Sequence, residues 1–370
     1  MEQADFYRRI DAVDALRGIA ASSVVLQHVY GIRHLPVDDW IRWLVGQGLG
    51  VPLFFAVSAF CLYCATERHR GDDGSVAAFY IRRFFRIAPL YYFMLVIFIL
   101  FLKAAKRPDF LPMLGLSVTF TYNFFAAAQQ PGIVWASWTI SIEMAFYALF
   151  PLICTCVRSL WRAALLMALL MILAEAIVYT AQLSRGDESY YFLSFFRFLP
   201  FFGAGIVAYQ ALIALQDHAR ARLIGGACLT AALALIVAYR ADLFGDYGDH
   251  PIALAAGLAV VGLVLCPLRA LVNRTTIFLG RISYSMYLVH APLIQRSGGL
   301  YRAIYSLPGS DTLHYAIAAL ATFVMVVPVA WLLFRYVETP GLALGRAVLR
   351  HLDARRRSRS AQPVPAPAPA

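Results

Sequence analysis

Charge is scarce in this chain: charged residues fill 14% of 370 positions, against 61% apolar. Soluble domains carry about 25% charged and about 45–50% apolar residues, so a water-soluble globule is excluded. Lysine is scarcer still, with Lys103 and Lys106 the only two among 32 basic residues. The net charge of +11 is therefore arginine charge, and a lysine-rich nucleic-acid arm is excluded. The six cysteines all fall in apolar stretches, and Cys61-x-x-Cys64 has no second pair beside it. Neither a metal centre nor a redox motif is expected from them. Residues 1–14 lack the basic start, short apolar run and cleavage site of a signal peptide, so the first apolar segment is expected to stay as an anchor. No internal repeat is visible, which weakens a transporter built from duplicated halves.

What is present is a series of long apolar runs. Ten segments can each cross a bilayer: 14–31, 46–65, 85–104, 137–156, 162–183, 195–214, 222–239, 251–268, 277–298 and 313–336. An eleventh stretch, 111–127, is interrupted by Pro112, Thr119, Thr121 and Asn123 and is read as interfacial or re-entrant. With both termini inside, the inner loops carry twenty arginines and the outer loops nine arginines and lysines. That bias fits ten spans, and an eleventh would erode it. The expected fold is all-α and polytopic, with about ten spans and both termini cytoplasmic. One transmembrane domain covers 1–345. A tail over 346–370, basic and then Pro/Ala-rich, is expected to be disordered.

Charges inside spans are costly and mark function. Arg17 and His28 in the first segment are eleven residues apart. At about 100° per residue they share one helix face, about 16 Å apart along it. Arg17 falls near the cytoplasm and His28 near the outer surface. Glu143 lies about 9 Å below the outer surface in the fourth segment, and His290 falls in the outer half of the ninth. Arg82, Arg83 and Arg86 collect with Arg17 at the opposite mouth. Guanidinium groups bind phosphates in bidentate fashion, and a neutral imidazole is a general base for a hydroxyl. A phosphate-bearing donor held at the inner mouth, such as a phosphopantetheine carrier, has about the reach to meet His28.

The plainer alternatives are that Arg17 snorkels to the headgroups, that His28 is a satisfied core histidine, and that the span-three arginines are ordinary inside charge. Glu175 reads as an interhelix partner, and Tyr284 and Tyr287 as packing residues. His34-x-x-x-x-Asp39 has the spacing of soluble glycerol-phosphate acyltransferases but none of their other blocks. His69-x-x-x-Asp73 is equally unsupported. Asn273-Arg274-Thr275 fits a glycosylation acceptor but faces the cytoplasm in the expected topology.

Six blocks resemble the membrane acyltransferase type 3 family, in order. They are Asp14 to Ala20 followed by His28, Gly50 to Phe55 through Phe60, Phe79 to Pro89, Ser137 to Glu143 with Phe146-Tyr147, Leu279 to His290, and Glu338-Thr339-Pro340. The match covers residues 10–345. The resemblance implies a ten-helix inner-membrane enzyme moving an acyl group, often acetyl, from cytoplasmic acyl-CoA to a hydroxyl. The acceptor would be an envelope polysaccharide, a lipopolysaccharide or a lipid-linked sugar. Acyl-CoA is then a substrate, and no permanently bound cofactor is implied. Arg17, His28 and Glu143 match the catalytic positions, and Arg82, Arg83 and Arg86 stand at the donor-binding arginine block. Ser141, Tyr284 and His290 are expected on the acceptor side. Many members carry Asp and Gly where this chain has Pro52 and Ala59, and a second acid and Gln where it has Met144 and Ala145. Those departures bear on the acceptor more than on the reaction. No esterase-like domain is expected after the tenth segment, the arrangement of stand-alone members. Two rivals stay open: acylation of a small molecule such as a macrolide, and a proton-coupled transporter or flippase.

Overall fold

The computed structural model describes residues 2–46, 48–68, 75–101, 104–106, 108–124, 132–185, 194–245 and 249–360. The described residues hold helices and no strand. In chain order the helices are α1 (Glu2–Gly31), α2 (Asp39–Val45), α3 (Gly50–Arg68), α4 (Val76–Phe101), α5 (Phe110–Val118), α6 (Trp138–Cys156) and α7 (Leu160–Arg185). They continue with α8 (Phe195–Leu215), α9 (Ala221–Arg240), α10 (Asp249–Leu265), α11 (Arg274–Arg281), α12 (Ser283–Arg296), α13 (Gly298–Tyr305), α14 (Asp311–Leu333) and α15 (Thr339–Ser360).

Each of the ten expected segments is helical over most of its described residues. Among the described residues, seven helical stretches are long and apolar enough to cross a membrane, or eight if α11 and α12 form one broken span. Two expected spans fall short of that measure. The helix α10 has 17 residues, and α1 has its hydropathy lowered by Asp14, Arg17, Gln27 and His28. α5, at 9 residues, is about 13 Å long and too short to cross, as the interrupted stretch from 111 predicts.

Burial sorts the helices. In α8, 67% of the apolar window is inside the bundle, against 17% in α7 and 11% in α9. α8 is the hub and packs against α3, α7 and α10. Its Gly205 lies so close to the Ala56 backbone that a Cβ there would collide with it, the small-residue contact by which membrane helices approach. Side chains such as Leu152, Ile172, Leu233, Leu320 and Val324 are exposed on the periphery, where lipid is the solvent that suits them.

Two departures from the expected segments matter for the site. The ninth segment is not straight: α11 and α12 meet at a 76° bend. Gly280 and Ser283 flank the bend, a sequence that tolerates it. Gly280 rests on the Asp14 carbonyl and leaves no room for a Cβ. That contact pins α11 to α1. The second departure is at the end of the chain. Residues 346–360, expected to begin a disordered tail, continue α15, because Ala, Leu and Arg are strong helix formers. Just before it, Phe334–Glu338 form a π-helical turn, and α15 packs back on α4.

Candidate functional site

Two cavities lie back to back in the bundle. The first, about 110 Å³, is lined by Arg17, Ser58, Cys61, Arg83, Arg86, Glu143, Tyr147, Ser283 and Tyr284 among others. The second, about 570 Å³, is lined by Gln27, His28, Pro52, Trp135, Trp138, Arg197, Tyr239 and Asp249 among others. Val51 and Tyr287 line both. The first face of α1 thus carries Arg17 into one cavity and His28 into the other, as their shared helix face requires.

Within the arginine cavity the three guanidinium groups differ. Arg86 is ion-paired with Glu338, which is 1% exposed. The other Glu338 oxygen accepts from Ser285 Oγ at 3.0 Å. The π-helical turn delivers this carboxylate; such turns insert one residue and recur at functional sites. Arg83 is held by rings, 5.7 Å from Phe79 and 5.9 Å from Tyr147. Its Nε is buried with no hydrogen-bond partner. Arg17 forms no hydrogen bond among the described residues. Arg82 does not line the cavity. Glu143 also lies here and not beside His28. It accepts from Ser58 Oγ at 2.6 Å and from the Tyr147 hydroxyl. Tyr284, expected on the acceptor side, lines the arginine cavity instead and donates to the Ile87 carbonyl at 2.9 Å.

The histidine cavity holds the strongest geometry. His28 Nδ1 lies 3.0 Å from His290 Nε2, and the two rings stack at 5.0 Å with 25° between planes. Trp135 meets His28 edge-on at 5.0 Å. His290 is fully buried, and its Nδ1 faces the Met286 carbonyl at 3.3 Å. A carbonyl only accepts, so Nδ1 of His290 carries the proton and Nε2 is an acceptor. His28 Nδ1 therefore donates to it, and His28 Nε2 keeps its lone pair. The pair fixes a tautomer whose free nitrogen is a base. His290 itself lines neither cavity and meets the second one through His28. Ser141 is buried with its hydroxyl unpartnered and lines neither cavity. At the far wall, Arg197 donates twice to Asp249, at 2.6 and 3.2 Å.

The sequence matches the family model described as "Acyltransferase domain" over residues 10–335. The chain belongs to this acyltransferase family. Among curated relatives it is similar to "O-acetyltransferase OatA" of Staphylococcus aureus (strain NCTC 8325 / PS 47), 22% identical over 90% of this chain and 57% of the relative. It is also similar to "Peptidoglycan O-acetyltransferase OatA" of Listeria monocytogenes serovar 1/2a, 24% identical over 41% of this chain and 25% of the relative. "Nodulation protein 10" of Rhizobium leguminosarum bv. viciae is 25% identical over 40% of this chain and 44% of that protein. The chain spans 57% of the length of the staphylococcal relatives it matches. No solved structure matches.

Membership of the acyltransferase family sets the transporter reading aside. The other motifs, where described, lie away from the two cavities. His34 is exposed in a turn with φ 51°, and Asp39 is exposed at the start of α2. His69 and Asp73 lie outside the described residues, as do Lys103 and Arg107. Asn273 is a helix cap: its side chain accepts from Thr275 N and Thr276 N at 3.0 and 3.1 Å. Glu175 pairs with His250 at 2.9 Å, an interhelix bond between α7 and α10. Sequence reasoning missed Trp135 and the Arg197–Asp249 pair, which stand at the edges of segments. It treated Glu338 only as part of a motif block.

Proposed function

We propose that the chain is an inner-membrane O-acyltransferase, moving acetyl from cytoplasmic acetyl-CoA to a hydroxyl of an envelope glycan or lipid-linked sugar. Both termini lie in the cytoplasm and the arginine cavity opens toward it. The observation that carries the reading is the contact of the two cavities at Val51 and Tyr287. An anion-binding chamber and a free imidazole nitrogen share one wall, which is what a donor and an acceptor from opposite sides of a membrane require.

Arg17 and Arg83 take the phosphates of the donor, since both guanidinium groups line the cavity and Arg83 Nε has no hydrogen-bond partner. Arg86, neutralised by Glu338, shapes the chamber. The acceptor enters the second cavity, where Trp135, Trp138 and Tyr239 offer aromatic faces and Gln27 and Asp249 offer polar edges, the mixture that orients polar ligands. His28 Nε2 takes the proton of the acceptor hydroxyl as its oxygen attacks the thioester carbonyl. A carbon–oxygen bond forms, the carbon–sulfur bond breaks, and the imidazolium proton neutralises the departing thiolate. His290 holds His28 in the required tautomer throughout. Pro52 lines the acceptor cavity, so the departure noted at that position falls where the acceptor binds. Similarity to relatives named O-acetyltransferase supports acetyl as the group.

Mass spectrometry of envelope glycans from cells with and without the gene tests the reading. The expected result is a loss of about 42 Da per acetyl on a glycan or lipid-linked sugar. Identical glycan masses in the two cell types would overturn the acceptor assignment.

A further inference from the structure

We propose that Tyr287, with Val51 beside it, sets the size of the acyl group that the chain transfers. The inference rests on the acyl-transfer reading above. These two side chains line both cavities, so they form the partition that the donor's acyl end meets between the arginines and His28. The partition is tightly built. Phe54 meets the Tyr287 ring edge-on at 6.1 Å, and Val24, Ala136 and Tyr287 form one apolar cluster. The Thr139 hydroxyl is hydrogen-bonded to Tyr287 OH at 2.8 Å, and the Tyr287 ring lies 5.7 Å from His290. Only 8% of Tyr287 is exposed. A phenol anchored at its hydroxyl and packed against Phe54 does not swing out of the way at little cost.

Size selection follows from position. The thioester carbonyl has to reach a hydroxyl that is giving its proton to His28 Nε2. Carbons beyond the carbonyl then have to fit against the ring of Tyr287 and the branched end of Val51. A methyl group asks for little room. A longer chain needs the volume those two side chains fill, or the space between His28 and Trp135 that the acceptor uses. Each surplus methylene in a closed apolar site is discriminated about 10- to 200-fold.

Membranes carrying the full chain, which keep their own acceptor, are supplied with acetyl-CoA or hexanoyl-CoA. The readout is CoA thiol released above that from membranes lacking the gene. The parent chain is expected to favour acetyl-CoA. Tyr287→Leu and Val51→Ala are each expected to raise the hexanoyl-to-acetyl ratio by about 10-fold or more. Tyr287→Phe keeps the ring and is expected to keep the parent ratio. An unmoved ratio in both Tyr287→Leu and Val51→Ala overturns the partition, as does loss of all thiol release in the mild Val51→Ala variant. Equal use of both thioesters by the parent overturns it as well. A parent chain that releases no thiol from either thioester would instead bring down the acyl-transfer reading on which the partition rests.

Discussion

The two cavities on either side of Tyr287 treat charge in opposite ways. In the arginine cavity one guanidinium is neutralised by Glu338, and Glu143 is occupied by Ser58 and Tyr147. Those hydroxyls leave the Glu143 charge in place, so Arg17 and Arg83 together outnumber it and the partly apolar chamber keeps a net positive charge. In the histidine cavity Arg197 is matched oxygen for nitrogen by Asp249, and the one unsatisfied feature is a neutral lone pair on His28. In the reaction proposed above, the first chamber receives the donor's phosphates and the second a neutral hydroxyl; surplus charge in both would leave the phosphates to compete for either side.

Breaking the contrast at its sharpest point is expected to have the largest effect. His28→Ala removes the lone pair and should lower the transfer rate by about 10²–10⁴-fold, measured as thiol release, with donor affinity by calorimetry nearly unchanged. His28→Gln, which accepts no proton at neutral pH, should be as inactive. Next comes the neutralised arginine. Glu338→Ala leaves a buried guanidinium unpaired and should destabilise the fold by about 3–5 kcal/mol, read as a fall in the unfolding midpoint in detergent. The surplus arginine should behave differently. Arg83→Ala should weaken acetyl-CoA binding by about 1.5–3 kcal/mol in calorimetry while leaving the unfolding midpoint near the parent value. Equal behaviour of Arg83→Ala and Glu338→Ala in the two assays would erase the distinction between surplus and neutralised charge. The smallest effect is expected at His290. His290→Phe removes one hydrogen bond of about 1 kcal/mol and should lower kcat about 3- to 10-fold without changing donor affinity. His290→Gln, which can still accept from His28 Nδ1, should recover part of the loss.

Those residues were unequally legible in the sequence. Arg17, His28, Glu143 and His290 stand out because ionisable groups are rare in apolar segments, and helical periodicity alone puts Arg17 and His28 on one face. Pairing was not legible. His28 and His290 are 262 residues apart, and spacing along the chain says nothing about which imidazole faces which. The nearest acid at similar depth, Glu143, was the natural partner on paper. Only the packing of α12 on α1 puts His290 in that place. The division of labour among the arginines was hidden for the same reason. Arg86 and Arg83 belong to one motif, and the π-helical turn that brings Glu338 to one of them leaves no mark in composition. The bend in the ninth segment was hidden too, since it depends on the contact of Gly280 with a carbonyl of α1.

The pairing of Arg86 with Glu338 also sets a timetable for biogenesis. The partners are 252 residues apart, and a ribosome adding about 5–20 residues per second needs on the order of 10–50 s to make that stretch. Through that interval α4 is already in the translocon or the bilayer with its arginine waiting for a partner. α4 gains this ion pair only once residue 338 has been made and α15 packs back on it. Chains truncated before residue 338 lack the carboxylate that pairs with Arg86, and their α4 keeps a guanidinium without its ion-pair partner.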